Sequence, residues 1–255
     1  MDLRTYLQQN HNKLTWKERI EIARYIINAV YRIHKEDAIH RDLHSGNVLY
    51  KHTDRRFFIS DLGFCGPADK PLNSVYGNLP YMAPEVITEK KNTFASDIYS
   101  VGMLMWEISS GKPPFVNYEH DYYLAMKIVN GMRPKIVSGT PLKYKELMEQ
   151  CWDADVIKRS DISKLKDEIK ELLLYFQNDQ TENNEQIMSS QYQQSNSTNS
   201  ISKICTSKTY QFDNFSEPKN ATEGNIYINI CIINMLTINY THFFILISTE
   251  EQEGK

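Results

Sequence analysis

His40-Arg41-Asp42-Leu43-His44-Ser45-Gly46-Asn47-Val48-Leu49-Tyr50 is the stretch on which the reading of this chain turns. An Asp and an Asn stand five residues apart in a short polar loop, Asp42 and Asn47. An apolar-periodic segment leads into the loop and a short apolar run, Val48 to Tyr50, leaves it. Upstream, Thr15-Trp16-Lys17-Glu18 has the form of a capping box, in which the Thr hydroxyl accepts an early backbone N–H and the Glu reaches back. Ile22, Ala23, Ile26, Ile27, Val30 and Ile33 then recur at helical spacing, which predicts a helix to about Lys35. Downstream, Val48 to Tyr50 and Phe57 to Ser60 read as two strands joined by a polar turn. That hairpin brings Asn47 and a second acidic signal, Asp61-Leu62-Gly63, to one end.

Two carboxylates and an amide oxygen converging on one loop suit phosphoryl transfer. A carboxylate accepts the proton of the attacking hydroxyl, and oxygen ligands hold Mg²⁺ against nucleotide phosphates. The stretch resembles the catalytic loop of eukaryotic protein kinases, H-R-D-L-x-x-x-N, followed by a D-F-G-like metal site. The resemblance rests on an ordered set: His40-Arg41-Asp42, Asn47, Asp61-Leu62-Gly63, Ala83-Pro84-Glu85, Asp97 to Gly102, and Cys151-Trp152. It covers roughly residues 1–176.

The resemblance implies a role for each matching residue. Asp42 would be the base that orients the substrate hydroxyl, with His40 packed beneath the loop. Arg41 would be free to pair with a phosphate on the segment that follows Gly63. Asn47 and Asp61 would hold Mg²⁺, with Gly63 completing the ATP-binding set. His44 stands where serine/threonine kinases usually carry a Lys that touches the transferring phosphate. Asp97 would accept from backbone N–H groups of the catalytic loop, and Glu85 would pair with a buried arginine, Arg159 being best placed. Ser74 and Tyr76 are the candidates for an activating phosphate added by an upstream kinase. The partner implied is a protein substrate.

The departures from the family pattern refine the expectation. Leu62 replaces Phe, Asn78 replaces the usual Thr of the substrate-seating segment, and the Ala-Ala-Arg of tyrosine kinases is absent. The loop and the run Trp106-Glu107-Ile108 to Gly111-Lys112-Pro113-Pro114-Phe115 resemble the tyrosine-kinase-like group, most of whose members act on Ser and Thr, with Tyr left open. No G-x-G-x-x-G and no strand like V-A-I-K occurs. The expected fold is therefore mainly α: a kinase-like large lobe with a short β-hairpin at the catalytic loop, the N-terminal β-rich lobe missing. The leading function is an ATP-dependent protein kinase present as a truncated domain. The alternative is a catalytically inactive kinase-like binding or scaffold module. A small-molecule phosphotransferase is disfavoured by Ala83-Pro84-Glu85 and the Asp97 helix.

Composition sets the outer bounds. The 255 residues carry a formal net charge of −3 with both signs interspersed, which gives no signature of a nucleic-acid partner. Four cysteines without C-x-x-C spacing and no N-terminal apolar signal favour a reducing, cytoplasmic setting. The seven histidines form no zinc pattern. Further helices are expected at Leu3 to Gln9, Thr93 to Ser110, Tyr122 to Asn130, Leu142 to Trp152 and Asp161 to Phe176. Gly63 to Pro80 reads as a long loop, and residues 177–225 read as a disordered polar tail. Residues 226–255 form an apolar tail segment. Its run Ile226 to Ile247 has the ~20 residues a bilayer span needs. Asn229, Asn234, Asn239 and His242 interrupt it and no basic flank orients it, so a tail anchor is the weaker reading.

Overall fold

The computed structural model describes residues 1–67, 75–178, 206–212 and 215–220. Seven helices and six short strands run through them in the order α1 (Leu3–Asn10), α2 (Trp16–Lys35), β1 (Ala38–Ile39), β2 (Val48–Lys51), β3 (Arg56–Ile59), β4 (Gly66–Pro67), β5 (Val75–Gly77), α3 (Pro84–Glu89), α4 (Phe94–Ser110), α5 (Tyr122–Val129), α6 (Leu142–Cys151), α7 (Ile162–Asn178) and β6 (Lys208–Tyr210). The strands pair only in twos: β1 with β4, β2 with β3 and β5 with β6, all antiparallel. The helices therefore carry the core.

The helices start where side chains satisfy orphan N–H groups. Thr15 and Glu18 form a reciprocal capping box at α2, and Thr93 and Ser96 do the same at α4. Asp121 accepts from Leu124 N–H at 3.1 Å to start α5. On α2 the buried face is Ile20, Ile22, Ala23, Ile26, Ile27 and Val30, and it packs along α7 and α4. Helix α4 is buried almost all round, from Ser96 to Met105 and again at Glu107 to Ser109. It is the central helix. Gly102 lets α6 come close, since a Cβ there would lie 2.8 Å from the Cys151 Cβ.

The stretch read as one long loop from Gly63 to Pro80 contains order: Gly66 pairs with Ile39, and Val75–Gly77 is a strand. Helix α3 begins at Pro84, a position where the missing N–H costs nothing. Within the stretch 177–225 expected to be disordered, residues 206–212 and 215–220 lie against the lobe. Lys208–Tyr210 is the strand β6, and Phe212 is buried in the core cluster. The expectation is corrected for those residues, and the reason is aromatic. Tyr210, Phe212 and Phe215 supply apolar area that the polar run before them lacks. Among the described residues no helix is long and apolar enough to cross a membrane. Ile226 to Ile247, weighed as a tail anchor, lies outside the described residues.

Candidate active site

The loop from His40 to Asn47 is held from below by the N-terminal end of α4. Asp97 Oδ2 accepts the His40 N–H at 2.8 Å and Oδ1 accepts the Arg41 N–H at 3.0 Å. His34, near the end of α2, places its Nε2 3.0 Å from Asp97 Oδ2. One buried carboxylate thus fixes two consecutive peptide units and, through them, the entry to Asp42. Arg41 has φ 72°, a left-handed conformation sparsely populated by non-glycine residues. Strain of this kind persists only where the surroundings over-determine the backbone. Here the Asp97 bonds supply that constraint.

Asp42 is 4 % exposed. Its backbone N–H donates to His40 Nδ1 at 3.3 Å, and His40 Nε2 lies 3.1 Å from the Ser60 carbonyl. Those two contacts set the tautomer, with the proton on Nε2. The Asp42 carbonyl accepts from the Asn47 side-chain NH₂ at 3.0 Å, closing the five-residue loop on itself. The Asn47 carbonyl in turn accepts from Ser60 N–H at 2.8 Å, tying the loop to the strand that leads to Asp61. Burial pushes the Asp42 carboxyl above the usual Asp range, while a hydrogen bond from Ser207 and the backbone N–H of Asn78 hold it back.

Asp61 is exposed and left-handed, with φ 57°, and the Cβ position of Gly63 lies 3.4 Å from its Oδ1. His44 is 6 % exposed and caps the 3₁₀ turn Ser45–Asn47, its Nδ1 accepting from Gly46 N–H at 3.1 Å. Its Nε2 is then the protonated nitrogen. It sits 3.8 Å from Asp42 Oδ2 and 3.2 Å from the Ser207 hydroxyl. Burial, with Arg4 beside it, holds the His44 pKa down to about 3, so the ring is neutral.

The arginines differ in their engagement. Arg41, expected to await a phosphate, donates to the Phe64 carbonyl at 3.2 Å and to the Pro67 carbonyl at 2.7 Å. It staples the segment after Gly63 to the loop. Arg159 makes a two-pronged contact with Glu85, at 2.6 and 2.8 Å, and donates also to Ala95 and Asp153 carbonyls. Tyr76 stacks on Phe64 with ring centroids 4.0 Å apart, and Ser74 lies outside the described residues.

Several further residues contribute in ways sequence reasoning did not assign. Tyr81 donates to Glu107 at 2.6 Å and contacts the Ser45 hydroxyl at 3.2 Å, linking the loop to the C-terminal end of α4. Glu107 is buried and its carboxyl is pushed up by that burial. Gly77 has φ 143°, and a Cβ there would lie 3.5 Å from Asp42 Oδ1. Ser207 donates to Asp42 Oδ1 at 2.8 Å from 165 residues away. A glycine two residues before Leu79 was a visible signal; Ser207 sits in a polar run that offered none.

A family profile described as protein tyrosine and serine/threonine kinase matches residues 1–169. This chain belongs to that family. Among its relatives, the dual specificity protein kinase zakA of Dictyostelium discoideum is 31 % identical over 192 residues, 69 % of this chain and 25 % of the relative. The human dual serine/threonine and tyrosine protein kinase is 35 % identical over 150 residues, 57 % of this chain and 16 % of the relative. The probable serine/threonine-protein kinase pats1 of Dictyostelium discoideum is 27 % identical over 175 residues, 66 % and 6 % respectively. The chain thus spans a quarter or less of the length of these three relatives.

Proposed function

We propose that this chain provides the large lobe of a protein kinase that transfers the γ-phosphoryl group of ATP to Ser and Thr hydroxyls of proteins, with Tyr as a second acceptor class. The observation that carries the reading is the double clamp on the loop. Asp97 holds its entry, the Asn47 amide holds its exit, and Asp42 is left between them with a carboxylate buried but accessible to a hydroxyl. Asp42 acts as the base. Its raised proton affinity favours taking the hydroxyl proton as the oxygen attacks. His44 is neutral, so it supplies an N–H at Nε2 and no positive charge.

The donor set fits Mg²⁺. Asn47 commits its NH₂ to the Asp42 carbonyl, which leaves the amide oxygen as a ligand, and Asp61 presents an exposed carboxylate. Both are hard oxygen donors, few in number, as suits an ion that keeps water and phosphate in its shell. The bound ion would neutralise charge on the phosphates. The 255 residues contain no Gly-rich phosphate loop and no strand Lys in a V-A-I-K setting. We infer that the other wall of the nucleotide site comes from protein outside them. That same absence favours a second reading, a kinase-like docking module without transfer.

The deciding assay uses the protein purified from its own cells, with Mg·ATP and a Ser/Thr peptide library. Transfer is expected, and Asp42→Asn should lower it by about 10²–10⁴-fold. Transfer that survives this substitution would remove Asp42 from its role. No transfer, together with retained partner binding, would select the docking module.

A further inference from the structure

The C-terminal strand reaches the candidate base. Ser207 Oγ donates to Asp42 Oδ1 at 2.8 Å, within the 2.6–3.2 Å that a general base needs from the proton it takes. The same oxygen lies 3.2 Å from His44 Nε2, the protonated nitrogen, and accepts from it. The hydroxyl is thus oriented from both sides, and the Tyr76 side chain reaches it as well.

The approach is that of a docked peptide. Strand β6 pairs antiparallel with β5 in a fixed register, Val75 with Tyr210, Tyr76 with Thr209 and Gly77 with Lys208. Backbone pairing gives such a peptide its affinity and places its side chains by register. Ser207 is the residue just beyond the ladder, opposite Asp42. Gly77 sits at φ 143°, a conformation side-chain-bearing residues rarely adopt, and a Cβ there would crowd the Met82 methyl at 3.2 Å and touch Asp42 Oδ1 at 3.5 Å. Beyond β6 the segment is anchored several times. Phe212 stacks on Tyr210 with centroids 5.1 Å apart, and Phe215 stacks on Tyr122 of α5 at 5.2 Å. Lys219 N–H donates to the Val129 carbonyl at 2.8 Å. The Asn220 amide donates to Asp153 at 2.8 Å and accepts from the Ala154 N–H at 2.7 Å.

We propose that Ser207 is a phosphorylation site of this chain's own active site, presented in cis by residues 206–212 lying in the peptide-substrate position. The inference rests on the kinase reading above. In the step, Ser207 Oγ bonds to the γ-phosphorus of a nucleoside triphosphate. The bond from that phosphorus to the β,γ-bridging oxygen breaks, and its electron pair leaves with the diphosphate. The hydroxyl proton passes to Asp42 Oδ1. The product carries about −1.5 to −2 charge beside the Asp42 carboxylate, so repulsion drives the segment out and opens the cleft to other substrates.

The test maps Ser207 phosphorylation by mass spectrometry on protein recovered from its own cells, as wild type, Asp42→Asn and Asp61→Asn. The last variant changes an exposed residue and guards against misfolding of the first. Transfer to a Ser/Thr peptide is assayed on the same samples. Phosphate on Ser207 in wild type is expected, with at least a 100-fold loss in both variants. A tagged Asp42→Asn copy should stay bare when expressed beside wild type. Equal phosphorylation in all three proteins assigns the site to another kinase and overturns the proposal. Phosphorylation of the tagged inactive copy by wild type overturns presentation in cis. Asp42-dependent peptide transfer with Ser207 bare overturns the proposal and leaves the kinase reading standing. No transfer to either acceptor removes both.

Discussion

His44 shows how a single side chain changes meaning with its surroundings. By the resemblance, it stands where serine/threonine kinases usually carry a cationic Lys. The fold denies it that charge. Nδ1 is spent on the Gly46 N–H, the ring is buried against Tyr81 at a centroid distance of 6.0 Å, and the pKa is held down to about 3. The consequence is a stability that depends on pH. The unfolded histidine binds a proton below its ordinary 6.5, whereas the folded one stays neutral to about 3. Stability from this group is complete above pH 6.5 and falls as acid is added, by up to about 1.4 kcal/mol per pH unit. Urea unfolding of wild type and His44→Gln at pH 7 and pH 5 isolates the effect. His120, held down to about 4, contributes equally to both proteins. Wild type should lose about 2 kcal/mol more than the variant between the two pH values, and equal losses would contradict the assignment. Asp42 and Asn47 were legible in the sequence by a local spacing that resembles a kinase catalytic loop, and the structure places them in one loop closed by the Asn47 amide on the Asp42 carbonyl. The neutrality of His44 was not, because the groups that bury it, Tyr81 and Ser207 among them, arrive from distant parts of the chain.

Among elements, legibility followed length. Helices α2, α4 and α7 are long enough for periodicity to declare them, and their limits fall within a residue or two of the expected ones. Helix α3 spans six residues and β1, β4 and β5 two or three each, too short for any period to register. What holds α3 is a pair formed across 74 residues, Glu85 with Arg159. Both side chains are nearly sealed from solvent, at 7 % and 0 % exposure. The guanidinium also serves the Ala95 and Asp153 carbonyls and lies over the Tyr99 ring at 5.3 Å. Removing either partner leaves an unpaired buried charge. Arg159→Ala should therefore destabilise by about 3–5 kcal/mol in denaturant titration. Arg159→Lys should recover only part of that, because one ammonium cannot serve two carboxylate oxygens in a fork. A loss under 1 kcal/mol in Arg159→Ala would mean that the pair is open to water.

At the scale of the whole molecule, the lobe and the segment 206–220 differ in how they are held. The lobe has a continuous core through α2, α4, α6 and α7. The segment has a three-residue strand, a few aromatic contacts and some terminal hydrogen bonds. Composition hid it, since the run before it is polar in sequence and the aromatic side chains that dock it are few. Its attachment should therefore open locally, well before the lobe unfolds. Phe212 is the handle, 6 % exposed and in ring contact with Tyr210, Tyr122 and Phe215. Truncating a buried Phe to Ala costs about 3–5 kcal/mol where the site cannot collapse. In Phe212→Ala that cost falls on the docked segment alone. Amide hydrogen exchange of residues 208–210 should accelerate by at least about 100-fold, along with that of their partners on β5, while α4 amides and the melting temperature hold. Uniform acceleration across α4 as well would show that the segment belongs to the lobe's cooperative unit. In that case Asp42 could not be uncovered without unfolding the site that contains it.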